Sequence, residues 1–105
     1  MFKTYHNGKG KNKMILTKEK YIIYVKDNNE IKYLTSDGAN SIEFYTTSQM
    51  ELFHYAPKEF KSELSAKRWY KQMSGYDFLW LYNSSKRYSV DEIKTLKITY
   101  KVILQ

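Results

Sequence analysis

Two histidines, His6 and His54, are the whole imidazole supply of this 105-residue chain, and it has no cysteine. They stand far apart in no metal-ligand spacing, so neither a zinc site nor a Cys/His nucleophile is expected, and His54 on an apolar segment reads as a hydrogen-bonded structural residue. Asp91 and Glu92 are the only adjacent carboxylates. They belong to Ser89-Val90-Asp91-Glu92, a capping-box pattern that explains both as a helix start rather than a general acid–base pair. The serines fall in turns and caps, with no nucleophile elbow, and Ser84-Ser85-Lys86-Arg87 reads as a basic loop. Gly8-Lys9-Gly10-Lys11 lacks the spacing of a phosphate-binding loop and opens no helix. The expectation is a protein that is not an enzyme and needs no cofactor or metal.

Binding chemistry is better supplied. Lys and Arg number 18 against 11 Asp and Glu, a formal charge of +7. In a chain this small that charge attracts nucleic acid, acidic proteins or anionic membranes, and it excludes a mimic of the phosphate backbone, which must be acidic. Residues 1–20 carry Lys3, Lys9, Lys11, Lys13, Lys18 and Lys20 against the single acid Glu19. A second basic group, Lys67, Arg68 and Lys71, is spaced to lie along one helix face. Eleven tyrosines accompany them. Tyr21, Tyr33, Tyr45, Tyr55 and Tyr100 cannot all fit one small core beside Trp69 and Trp80, so some face outward. Outward aromatics beside Lys and Arg stack bases or anchor protein interfaces. The plain alternatives are a solvated lysine surface and half-buried sheet tyrosines. No RNA-recognition signature, helix-turn-helix, zinc finger or Gly-x-x-Gly clamp occurs. The candidate binding residues are therefore Lys9, Lys11 and Lys13 of the arm, Lys67, Arg68 and Lys71 of the helix, and Tyr45 and Tyr55.

The elements that would position them follow from periodicity. Ala66, Trp69, Tyr70 and Met73 recur at helical spacing, with Pro57 before the segment, Ser62 as cap, Glu63 at the positive end and Gly75 as a left-handed stop, which predicts a helix over about 62–73. So short a helix must dock its apolar stripe on something, and a sheet is expected. Tyr21-Ile22-Ile23-Tyr24-Val25 and Ile31-Lys32-Tyr33-Leu34-Thr35, separated by Asp27-Asn28-Asn29, predict a β-hairpin. Ile42–Thr46 reads as a third strand, with Glu43 and Tyr45 on its other face. Residues 51–56 read as a fourth strand or, from Ser48, as a helical turn. Phe78–Tyr82 reads as a strand buried on both faces, 90–96 as a short second helix, and Ile98–Leu104 as a half-buried strand. Around Asn7-Gly8, residues 1–19 form either a hairpin with a loose loop or a flexible basic arm.

Strands grouped before and after a main helix give the class: α+β, a mostly antiparallel sheet with the helix on one face. Length allows one domain, 1–105. No apolar run approaches the roughly 20 residues of a membrane span, and the polar segment after Met1 lacks the core of a secretion signal. With no cysteine, the expected compartment is the reducing cytoplasm of a host cell. Open sheet edges leave room for a homodimer by strand pairing.

The run Phe60-Lys61-Ser62-Glu63-Leu64-Ser65-Ala66-Lys67-Arg68-Trp69, preceded by Lys20-Tyr21-Ile22-Ile23-Tyr24, resembles small accessory proteins of phages and mobile elements of low-GC Gram-positive bacteria. There, strands with a Tyr-Leu element precede a Phe-x-Ser/Thr-x-x-x-Ala helix and a closing strand. The resemblance covers about residues 20–73, and the aromatic-rich tail after Tyr76 departs from it. It implies a role in phage–host conflict, where such proteins inhibit host defence complexes by binding them, as anti-CRISPR proteins do. Two functions are thus expected: a non-enzymatic inhibitor that docks on a protein or ribonucleoprotein target, or a basic nucleic-acid-binding protein that uses the lysine-rich arm and exposed tyrosines.

Overall fold

One strand organises the molecule. In the computed structural model, which describes residues 2–6, 14–36, 42–80 and 87–104, β2 (Met14–Asp27) runs for 14 residues, about 45 Å at the rise of an extended chain. Along one edge it pairs antiparallel with β6 (Lys94–Leu104), from Met14 opposite Leu104 to Tyr24 opposite Lys94. Its other edge is shared. β1 (Phe2–His6) pairs with residues 14–18, and β3 (Glu30–Ser36) pairs with residues 24–27. Between them Phe60 exchanges two backbone hydrogen bonds with Tyr21, at 2.8 and 2.9 Å. The β2–β3 turn is made by Asn28 and Asn29, at φ 49° and 67°; this left-handed pair follows the twist of the flanking strands, and asparagine tolerates it best after glycine.

The fold is α+β, as expected. β4 (Phe44–Tyr45) extends the sheet beyond β3, and the short β5 (Ala56–Pro57) pairs with Thr35 and Ser36. α2 (Glu63–Met73) packs on β2 and β6. Ser62 caps it as expected, its hydroxyl accepting from the Ser65 N–H at 3.1 Å while the Ser65 hydroxyl accepts from the Ser62 N–H at 3.1 Å. The buried stripe is Ala66 and Tyr70, with Trp69 and Met73 half-buried at its margin.

Alternation along the strands divides the sheet into two faces. Ile23, Val25, Leu34 and Phe44 lie under α2 with Ala66, Tyr70, Phe60, Trp80, Tyr88 and Ile93, in one buried cluster. Tyr24, Lys26, Tyr33 and Tyr45 alternate with them onto the opposite face, which is buried at Ile22, Thr35 and Glu43 and open toward the β2–β3 turn, where Lys26 and Ile31 are exposed. The radius of gyration is 16.9 Å and the extents are 57 × 29 × 27 Å, whereas a compact domain of this length has a radius near 13 Å. The excess is the far end of β1, β2 and β6. There Val102 and Ile103 point to opposite faces and are 50% and 59% exposed.

Several expected elements differ. For residues 51–56 the helical alternative holds: α1 (Thr47–Phe53) takes the first three, opened by a reciprocal Thr46–Gln49 capping box rather than by Ser48 and ended by His54 in a left-handed conformation, and Ala56 falls in β5. Pro57, before the helical segment, ends β5. The expected second helix at 90–96 does not form. Glu92 does accept from the Ser89 N–H at 2.7 Å, but the box closes only a turn, because Lys94–Leu96 are paired with residues 22–24 of β2. Of the expected strand Phe78–Tyr82, Phe78 and Leu79 fall in a 3-10 turn (Asp77–Leu79) and Trp80 makes an isolated parallel bridge to Ile42, while 81–82 lie outside the described residues. Gly75 does not take a left-handed stop, since α2 ends through Ser74, whose N–H donates to the Tyr70 carbonyl. Glu43, on the face opposite Phe44, is buried.

Candidate interaction surface

The open face is a row of rings. Tyr24 on β2 stands opposite Tyr33 on β3, their centroids 6.5 Å apart, and Tyr33 stands opposite Tyr45 on β4. Tyr45 in turn meets Phe53 at 5.7 Å and Tyr55 at 5.4 Å, and Phe53 meets Tyr55 at 5.7 Å. Register and ring contact thus carry one aromatic strip from β2 across β3 and β4 to the end of α1. Phe53 is 47% exposed, and Leu52 beside it 72%.

The surface is concave between the strands. Tyr24, Ile31, Tyr33 and Leu96 line a hollow of about 180 Å³. Ile31 and Tyr33 also line a neighbouring, wider hollow of about 590 Å³ with Asn29, Glu30, Thr46, Thr47 and Ser48. Around the rings stand lysines. Lys26 is two residues from Tyr24 on the same face, Lys94 is directly opposite Tyr24, and Lys20 lies two residues beyond Ile22. Lys20, Lys26 and Lys94 form no ion pair among the described residues. Among the described residues, Glu59 on this face accepts a hydrogen bond from the Tyr100 hydroxyl and holds that phenol above its ordinary pKa, Glu43 alternates with Tyr45 and is buried, and Glu30 lines the wider hollow from its position opposite Asp27.

On the covered face tyrosine does different work. Tyr70 is wholly buried and its hydroxyl donates to the Tyr88 carbonyl, while the Tyr88 hydroxyl donates to Asp27 Oδ2 at 2.9 Å. Burial is the main cause that raises both phenols, Tyr88 to about 12. Trp80 is clamped by its indole N–H on the Ser74 carbonyl at 3.2 Å and by Arg87 over its ring at 5.4 Å, with Arg87 also paired to Asp77 at 2.5 Å. Lys58 sits 5.0 Å from the Trp69 ring centre.

The sequence-predicted residues do not converge. Lys9, Lys11 and Lys13 lie outside the described residues. Lys67, Arg68 and Lys71 are exposed on α2, but Lys67 is 3.1 Å from Glu63, and its ammonium holds that carboxyl below the usual range. Tyr45 and Tyr55 lie half-buried in the aromatic strip on the other side of the sheet. The helix cations and the tyrosines therefore face away from each other and cannot share one flat epitope. His54 is spent as the left-handed cap of α1. Sequence reasoning missed Tyr24, Lys26, Lys94 and Leu96. Alternation against Ile23 and Val25 could have found the first two; the last two needed the β2–β6 register.

No family model matches the chain, and no curated protein or solved structure matches it. Among the described residues, no group of His, Asp or Glu could hold a metal ion, and no helix is long and apolar enough to cross a membrane.

Proposed function

We propose that this is a small binding protein without catalytic activity, which docks on a protein or nucleoprotein complex through the open face of its sheet. In the setting implied by the resemblance, it is an inhibitor of a host defence complex. The single observation that supports the reading is the accessible strip from Tyr24 to Phe53. Aromatic side chains offer large contact area at small entropic cost and are enriched at interfaces, and these rings stand outside the buried cluster beneath α2. Tagged protein should capture a partner from host lysate, and Tyr33→Ser with Phe53→Ser should abolish capture while the fold remains. The reverse pattern, with capture lost only on Arg68→Glu and Lys71→Glu, would move the docking surface to α2. Failure of the parent to capture anything would overturn the reading.

A further inference from the structure

We infer that the hollow between Tyr24 and Tyr33 is a stacking site for the bases of single-stranded nucleic acid, with Lys20, Lys26 and Lys94 as its phosphate contacts. The inference rests on the docking reading above and names the component of the target that touches this face. Three observations carry it.

The first is chemical pairing. Of the sheet positions next to the Tyr24 ring, Tyr33 across β3 offers a second ring and Lys26 along β2 and Lys94 across β6 are exposed cations, while Ile22 is buried and closes the site on its inner side. Side chains directly opposite in an antiparallel pair lie about 5 Å apart, so a base resting on Tyr24 brings its phosphates within reach of two ammonium groups. An aromatic platform inside a basic groove is the arrangement that binds single strands without reading sequence.

The second is charge complementarity. Lys20, Lys26 and Lys94 are not neutralised by a carboxylate among the described residues, unlike Lys67 with Glu63 or Lys97 with Glu19 at 3.7 Å. Glu30 borders only the wider hollow.

The third is shape. The hollow of about 180 Å³ is lined by Tyr24, Ile31, Tyr33 and Leu96 and is shallow, which suits a planar base entering from a flexible strand. A duplex buries its bases and offers no face to these rings.

The test uses the whole protein and fluorescent poly-dT and poly-rU oligonucleotides, read by polarisation against salt, with a duplex of equal length as comparison. Single strands should bind more tightly than the duplex, with a salt slope of about −2 for three phosphate contacts. Tyr24→Leu keeps the apolar volume and removes the ring; it should weaken binding about 5- to 150-fold, while Tyr24→Phe should leave it unchanged. Lys26→Gln with Lys94→Gln should flatten the slope by about 1.4. Equal affinity for duplex and single strand, or insensitivity to Tyr24→Leu, would overturn the site. So would capture of a protein partner that survives nuclease treatment together with absent oligonucleotide binding. That last result leaves docking standing and assigns the face to protein.

Discussion

Tyr70 and Tyr88 sit beneath α2 with their hydroxyls hydrogen-bonded and almost no surface exposed. Through the sheet from them, Tyr24 and Tyr33 pair ring to ring, half-exposed, and neither hydroxyl has a partner among the described residues. The residue type is the same and the duty differs. On the covered face a phenol contributes area and a satisfied donor to a core; on the open face it keeps both its ring and its hydroxyl available. In the proposed reading, these accessible rings are the contacts offered to the partner.

Truncation should separate the two faces most sharply. Tyr70→Ala or Trp80→Ala opens a cavity in the core and should cost about 3–5 kcal/mol, a large part of the stability of a domain this size. Urea melts of these variants against Tyr24→Leu and Tyr33→Leu check the contrast, which fails if the open-face variants lose as much. Trp69, half-buried beneath Lys58, should lose less than Trp80.

Titration gives the next effect. A raised phenol pKa means that the folded state keeps its proton where the unfolded chain releases it. Stability linked to Tyr88 and Tyr70 is therefore fully present below pH 10 and falls as the pH rises toward about 12. Tyr88→Phe should flatten that alkaline loss. Thermal melts across this range would contradict the buried pair if wild type and variant declined in parallel. Asp27→Ala, which removes the acceptor of Tyr88, should cost roughly 1–3 kcal/mol at neutral pH.

The reach of the sequence follows the range of the forces. α2 was legible because its cap at Ser62 and its stripe of Ala66, Tyr70 and Met73 are local, and the β2–β3 hairpin because Asn28-Asn29 has its own left-handed preference. Ser89–Glu92 carries an equally good local signal and yet makes only a turn. Pairing of Lys94–Leu104 along β2 satisfies more backbone groups than two helical turns could, and that register is a long-range fact. The candidate surface was half legible for the same reason. An excess of tyrosine required outward rings, but the meeting of Lys94 and Leu96 with Tyr24 depends on a strand that closes the sheet from the far end of the chain.

Smaller effects should refine the picture of the helix side. Ser62→Ala and Thr46→Ala each remove a capping hydroxyl and should cost about 1 kcal/mol. Lys67→Ala should change stability by no more than about 0.5 kcal/mol, since its pair with Glu63 is exposed. A larger loss in equilibrium melts would mean that the cations of α2 support the fold.

The division of labour between the faces is tested most directly by amide chemical-shift mapping during titration with a poly-dT oligonucleotide. Shifts should concentrate at Tyr24, Lys26, Ile31, Tyr33, Lys94 and Leu96, with Arg68, Lys71 and the rest of α2 unmoved. Shifts that gather on α2 instead, or none at all at low salt, would contradict that division.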